Sequence, residues 1–160
     1  MTMRKPKIYV ETTLFNFYFD KDRDAHADTV RLFKEIAAGK YEAFTSDAVL
    51  RELEKAPAEK QAAMLSLVDE YRISALYVDQ EAEILADTYV AEGIVPRKYR
   101  ADGIHIAVAT VNDLDYIISM NFRHLVKVRT EQMVHAVNVL NGYRPIKIIS
   151  PMEVVEDEDA

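Results

Sequence analysis

Hydrophobic positions along the chain fall into short apolar runs separated by longer stretches at helical spacing. Ile8-Tyr9-Val10 is one such run and reads as a buried strand that ends at Glu11. Thr12 or Thr13 is placed to cap a following helix rich in aromatics, with Phe15, Phe17, Tyr18 and Phe19. A polar loop from Asp20 to Asp24 leads to a second helix, on which Val30, Phe33, Ile36 and Ala37 share one face before Gly39 stops it. Glu42 to Thr45 is the second strand, and Ser46 or Asp47 caps a helix through Glu54. Pro57 restarts the chain for another helix ending near Tyr71. Arg72 to Val78 holds the third strand, followed by a helix over Ala82 to Ala91 that ends at Gly93. After the Val95-Pro96 break the pattern predicts a helix from about Arg100 to Asn112, then a fourth strand from Leu114 to Ser119. Glu131 to Leu140 is the last long helix, and Ile146 to Ile149 the fifth strand. Five short apolar strands alternating with helices predict an α/β fold with a parallel sheet covered on both faces.

Length and composition narrow this picture. A chain of 160 residues has the size of one domain and buries roughly 70% of the surface its unfolded form exposes. The expected domain runs over residues 1–150, with Pro151 opening an acidic C-terminal tail over 151–160. With no cysteine there is no disulfide, zinc ribbon, iron–sulfur cluster or thiol nucleophile. The basic start leads into only three apolar residues, short of the 7–15 a secretory signal needs. The apolar stretch around Gly103 to Val111 is too short to span a bilayer. A soluble, cytoplasmic protein that makes no use of a membrane is the expectation.

The net charge of −7 argues against a broad electrostatic coat on nucleic acid. Much of it is local, since Glu153, Glu156, Asp157, Glu158 and Asp159 lie in the last eight residues. Basic residues cluster as well, at Arg97, Lys98 and Arg100 and again at Arg123, Lys127 and Arg129, so a basic rim is compatible with the acidic total.

An open parallel sheet places its ligand site outside the carboxyl ends of its strands, where the crossover loops gather. Four positions then converge: Glu11 at the end of the first strand, Glu52 in the helix after the second, Asp102 in the first turn of the helix before the fourth, and Asn121 just beyond that strand. Carboxylates in one cleft repel one another unless a cation sits among them. Oxygen donors suit magnesium or manganese, and the natural chemistry is metal-assisted attack of water on a phosphodiester. His105 shares a helix face with Asp102 but sits in an apolar run and reads as a core histidine, while His124 beside Arg123 reads as a phosphate contact. Asp20, Asp22 and Asp24 alternate like a calcium loop, but Ala25 and Arg31 stand where that loop needs Gly and Glu. There is no glycine-rich phosphate loop, dinucleotide fingerprint or nucleophile elbow.

These residues resemble a known family. Ile8-Tyr9-Val10-Glu11-Thr12-Thr13 resembles the opening strand of PIN-domain nucleases, where an acid is followed two places on by Ser or Thr. Ser46 to Glu52 resembles their second acidic element, Ala101-Asp102-Gly103-Ile104-His105-Ile106-Ala107 their third, and Ile118 to Leu125 their fourth. The resemblance spans nearly the whole chain, with the four motifs in order on the right elements. It implies an α/β/α sandwich around a five-stranded parallel sheet and a magnesium- or manganese-dependent endoribonuclease. It also implies the VapC-type toxins, dimers held inactive by a small antitoxin. Carried over, Glu11, Glu52 and Asp102 are metal ligands, Asn121 supports metal or water, and Thr13 and Ser119 are hydroxyl helpers. Arg97, Lys98, Arg100, Arg123 and His124 make up the expected substrate rim. Two positions depart from the family's pattern: Glu11 stands where Asp is usual and reaches one methylene further, and Asn121 stands where many members have Asp. The competing function is a PIN fold that binds RNA or a partner protein without efficient catalysis. A phosphoacceptor receiver domain is disfavoured, because a single acid ends the first strand and Ser46 follows the second.

Overall fold

The computed structural model describes residues 4–155. The apolar runs form five strands: β1 Lys7–Val10, β2 Glu42–Ser46, β3 Ser74–Leu76, β4 Tyr116–Ile118 and β5 Lys147–Ile149. All pair in parallel, in the order β3-β2-β1-β4-β5. Successive side chains of a strand point to opposite faces, so a strand buried along its length needs cover on both sides. Ile8, Tyr9 and Val10 of the central strand, and Ile117 and Ile118 beside them, are wholly buried.

The cover is helical: α1 Thr12–Phe19, α2 His26–Ala37, α3 Asp47–Leu53, α4 Ala58–Glu70, α5 Gln80–Ala91, α6 Arg100–Val111, α7 Val128–Leu140 and α8 Pro151–Val154, with one 3₁₀ turn, Arg97–Tyr99, leading into α6. The chain steps from β1 out to β3 through α1 to α4, then crosses back to β4 and β5 through α5 to α7. Right-handed crossovers place these two groups on opposite faces. Within each group α1 meets α2, α3 and α4 and α5 meets α6 and α7, while α3 also meets α6. The result is a three-layer α/β/α sandwich. Helix α6 is its most deeply set element, buried at eight consecutive residues from Gly103 to Thr110. Gly103 permits the close approach of α6 to its neighbours: a Cβ there would meet Val95 Cγ2 at 3.2 Å and the Ala86 carbonyl oxygen at 3.6 Å.

Several boundaries differ from the sequence pattern for local reasons. Glu11, rather than a threonine, caps α1, because its longer side chain reaches back to the Thr13 N–H. Helix α5 begins two residues early, where Asp79 accepts the Ala82 N–H at 2.9 Å. Helix α7 begins at Val128, three residues before Glu131. The aromatic stripe after β1 is core packing in large part: Phe15 is buried, and Tyr18 lies edge-on against Phe33 and Tyr71. Pro151 opens the one-turn α8, capped reciprocally by Ser150 and Glu153, and Val154 and Val155 pack against the core. Glu156, Asp157, Glu158 and Asp159 of the expected tail lie outside the described residues. Among the described residues no helix is long and apolar enough to cross a membrane.

Candidate functional site

Register brings the ends of β1 and β4 level: Val10 pairs with Ile118, and the Glu11 N–H donates to the Ile118 carbonyl at 3.1 Å. Glu11, only 3% exposed, turns its carboxylate into the first turn of α1. Its Oε1 accepts three hydrogen bonds, from the Thr13 N–H at 3.1 Å, from Thr13 Oγ1, and from Ser119 Oγ at 2.7 Å. None of the three reaches Oε2. Helix N-terminal N–H groups lack partners within the helix, so a carboxylate at this point is doubly favoured. The two hydroxyls are themselves fixed, Thr13 Oγ1 by the Met120 N–H at 2.8 Å and Ser119 Oγ by the Asn121 N–H at 2.9 Å.

Glu52, half-buried on α3, is held from two other elements. Its Oε1 accepts from His105 Nε2 at 2.8 Å, and its Oε2 from the Thr12 hydroxyl. Burial pushes this carboxyl up, but the His105 hydrogen bond and charge, aided by Thr12, outweigh it and hold Glu52 below its usual value. His105 is buried, which disfavours its charge, yet Glu52 raises its pKa above the usual histidine value. On its far side, His105 Nδ1 lies 2.6 Å from the Tyr9 hydroxyl, which lies 2.7 Å from Ser46 Oγ. Among the described residues, Glu11, Glu52 and His105 form the group of candidate ligands whose atoms all fall within 4.8 Å of one another.

Asp102, expected as the third ligand, stands outside that group in the first turn of α6. It is tied to the site by Asn121, whose Nδ2 donates to Oδ1 at 3.4 Å. Burial raises the Asp102 pKa, His105 and His124 pull it back, and Glu11 and Glu52 push it up again, leaving it above the usual carboxylate value. Asn121 Oδ1 in turn accepts the His124 N–H at 3.0 Å. The sheet edge thus gathers Glu11, Glu52, Asp102 and Asn121, with Thr13 and Ser119 as direct hydrogen-bond partners of Glu11.

The rim residues divide. Arg97, Lys98 and Arg123 are exposed, and the His124 ring stacks on Tyr99 at 4.1 Å between centroids. Arg100 is engaged along α5, where its Nε donates to Asp87 at 2.7 Å. A groove of about 300 Å³ opens beside Glu52, lined among others by Arg51, Lys55 and Arg100. A larger hollow of about 630 Å³ sits at the amino end of the sheet by Lys5, Glu42 and Arg72. Chemistry rather than size marks the site, because the clustered carboxylates lie at the other edge.

Reading the sequence for motifs missed the link of His105, Tyr9 and Thr12 to Glu52. The available signal was polar satisfaction: a tyrosine in a buried strand and a histidine on an apolar helix each need a partner, and buried polar groups find one another. His105 is the buried, satisfied histidine the pattern suggested, and one of its partners is a site carboxylate.

A scan against protein-family models finds no match, and a search of curated proteins finds none either. Solved structures do match. VapC20 of Mycobacterium tuberculosis, described as a toxin cleaving the sarcin–ricin loop, superposes with a TM-score of 0.52 at 17% identity, over 69% of this chain and 86% of that one. DNA-bound VapBC from Salmonella typhimurium gives 0.53 at 17% identity, over 91% and 98%. VapBC2 from Rickettsia felis, bound to a promoter DNA fragment, gives 0.56 at 11% identity, over 90% and 98%. At these identities the likeness establishes the fold, which is the α/β PIN-like fold of VapC structures.

Proposed function

We propose that this chain is a metal-dependent endoribonuclease of toxin type, hydrolysing RNA phosphodiester bonds in the cytoplasm and restrained by a small antitoxin. The observation that carries the reading is the clustering of Glu11 and Glu52, with Asp102 close enough to feel both charges, at the carboxyl edge of a fold shared with VapC toxins. The donor set fits a hard divalent cation. Glu11 keeps Oε2 outside its three internal hydrogen bonds, and the Asp102 carboxyl, raised by burial and by its acidic neighbours, is eased by positive charge among them. Magnesium or manganese suits such oxygens, and when bound it polarises a phosphodiester and makes water nucleophilic near neutral pH.

The chain's own residues do the rest. Glu11, Glu52 and Asp102 would hold the ion. Thr13 and Ser119 lock the Glu11 carboxylate, and Asn121 presents its amide beside Asp102 to water or phosphate. Arg97, Lys98 and Arg123, with His124, supply counter-charge for the RNA backbone, and Arg100 joins them only by leaving its Asp87 partner. Hydrolysis forms one bond from water oxygen to phosphorus and breaks one bridging P–O bond, a proton passing to the departing ribose oxygen. The VapBC structures support an antitoxin partner, and a homodimer belongs to the same reading.

A second reading, a PIN-like module that binds RNA or a partner protein without efficient cleavage, is favoured by one feature: both oxygens of Glu52 are already hydrogen-bonded within the chain. One experiment separates the two. Single-stranded RNA is incubated with manganese and either wild type or Asp102→Asn. Cleavage by wild type that falls by orders of magnitude in the variant supports the nuclease. RNA binding with no cleavage supports the module, and equal cleavage by both proteins identifies a contaminant.

A further inference from the structure

Glu52 is held in place by a buried chain of polar side chains that begins and ends on its own helix. Ser46, the N-cap of α3, accepts the Val49 N–H at 3.4 Å, and its Oγ lies 2.7 Å from the Tyr9 hydroxyl. Tyr9 OH lies 2.6 Å from His105 Nδ1, and His105 Nε2 lies 2.8 Å from Glu52 Oε1. Ser46 and Tyr9 are wholly buried and His105 is 1% exposed, so water does not substitute for the Ser46–Tyr9 and Tyr9–His105 links, while Glu52 at the chain's end is half-buried. Five elements are joined, β2 at Ser46, β1 at Tyr9, α6 at His105, α3 at Glu52 and, because Thr12 bonds the other oxygen of Glu52, α1.

The direction of the chain follows from its end. Nε2 faces a carboxylate oxygen and therefore carries the hydrogen, whether the imidazole is neutral or charged. Tyr9 completes Nδ1 in either case, donating to it when it is bare and accepting from it when it is protonated. A phenylalanine at position 9 does neither.

We infer that Tyr9 and His105 are positioning residues for the metal site, fixing the Glu52 carboxylate in the orientation in which it receives a divalent cation. This rests on the metal-site reading above. His105 is assigned the orienting role and not that of a ligand, since the one site on each of its nitrogens is taken, whereas each Glu52 oxygen accepts one hydrogen bond and keeps a second lone pair. Outer hydrogen-bond partners of ligating groups typically change metal affinity by 10- to 100-fold when removed.

The test uses the full chain and Mn2+ alone, reading free Mn2+ by electron paramagnetic resonance and the Mn2+-dependent rise in melting temperature. His105→Gln keeps an N–H donor at about the reach of Nε2, whereas His105→Asn stops at about the reach of Nδ1. The expected result is Mn2+ affinity within a few-fold of wild type for His105→Gln, a loss of about tenfold or more for His105→Asn, and an intermediate loss for Tyr9→Phe. Tyr89→Phe is the control. It removes another wholly buried hydroxyl, one bonded to Asn138, and is expected to lower the melting temperature while leaving Mn2+ affinity unchanged. Wild-type affinity in both Tyr9→Phe and His105→Asn overturns the positioning role. A wild type with no Mn2+-dependent shift at all overturns the metal reading beneath it.

Discussion

At the amino end of β4, Asp115 sits between Arg4 at 2.9 Å and Arg144 at 3.3 Å and accepts the Lys7 N–H at 2.8 Å. At the other end of the same strand, Ser119 and Asn121 reach Glu11 and Asp102, with Glu52 and His105 close by. Burial raises Asp115 too, but the Lys7 N–H and the two guanidinium groups more than reverse it and hold that carboxyl below its usual value. Burial raises Asp102, and the neighbouring carboxylates add to the rise rather than cancel it. One end is a charge-balanced clasp that ties the chain start and the α7–β5 loop to the sheet. The other gathers three acids unevenly, with Glu52 held low by His105 and Asp102 raised chiefly by burial, and perturbed carboxyls in one place are common where groups have a task beyond folding.

The sharpest way to break this contrast is to remove one acid from each end and measure cleavage. Asp102→Asn and Glu11→Gln are expected to lose activity on single-stranded RNA by orders of magnitude, while Asp115→Asn cleaves close to wild type. Equal losses at both ends would mean that the variants report folding, and that the carboxyl edge is not special.

Manganese gives the next largest effect. A cation that binds only the folded chain adds RT ln(1 + [L]/Kd), about 2.7 kcal/mol at a hundredfold excess over Kd. In a domain of this size that is a rise of several degrees in Tm. Wild type and Asp115→Asn should both gain it, and Asp102→Asn should gain little. Magnesium is expected to stabilise less, because its strict octahedron tolerates a looser site poorly. If Asp102→Asn gains as much as wild type, the ion is binding elsewhere.

The contrast also explains what the sequence revealed. The five strands and their helices were legible because Ile8 to Val10, or Ile104 to Ala109, carry their burial in their own composition. Glu11, Glu52, Asp102 and Asn121 were legible as a group because parallel strands end together, so topology alone brings them to one edge. The Glu52–His105–Tyr9–Ser46 chain was not legible, since its links span 53, 96 and 37 residues and depend on side-chain directions that no local pattern encodes. The same holds for Arg100, which as a sequence feature belongs to a basic cluster and in the fold pairs with Asp87. The Asp115 clasp escaped notice for a related reason: the pattern ran the fourth strand from Leu114 to Ser119, whereas it begins at Tyr116, and nothing local marks Asp115 as the partner of Arg4 and Arg144.

Without metal, the two ends should differ in stability. Asp115→Ala removes the acceptor of the part-buried Lys7 N–H, a loss of about 1 kcal/mol, and should lower Tm by a few degrees. Arg4→Ala removes only a half-exposed partner and should cost about 0–1 kcal/mol. Asp102→Asn should melt no lower than wild type in chelator, having lost a repelled charge. A marked drop there would show that Asp102 is a structural clasp like Asp115.

The smallest effect, and the one that reads the electrostatics most directly, is the opposite pH response of the two aspartates. Both start from an ordinary value of 3.8. Asp115 is lowered in the folded chain, so the folded state binds fewer protons than the unfolded one just below 3.8. Its contribution is present above that pH and is lost as pH falls through the folded value. Asp102 is raised, chiefly by burial, so the folded state binds more protons than the unfolded one just above 3.8. Its contribution is therefore present below that pH and is lost as pH rises through the folded value. Melting curves in metal-free buffer from about pH 3 to pH 7, for wild type, Asp102→Asn and Asp115→Asn, separate the two. Relative to wild type, Asp102→Asn should gain stability as pH climbs above 3.8. Asp115→Asn should be destabilised above 3.8 and approach wild type as pH falls below it. An Asp102→Asn curve parallel to wild type across the whole range would mean that Asp102 ionises as readily in the folded chain as in the unfolded one, against the raised value that burial imposes.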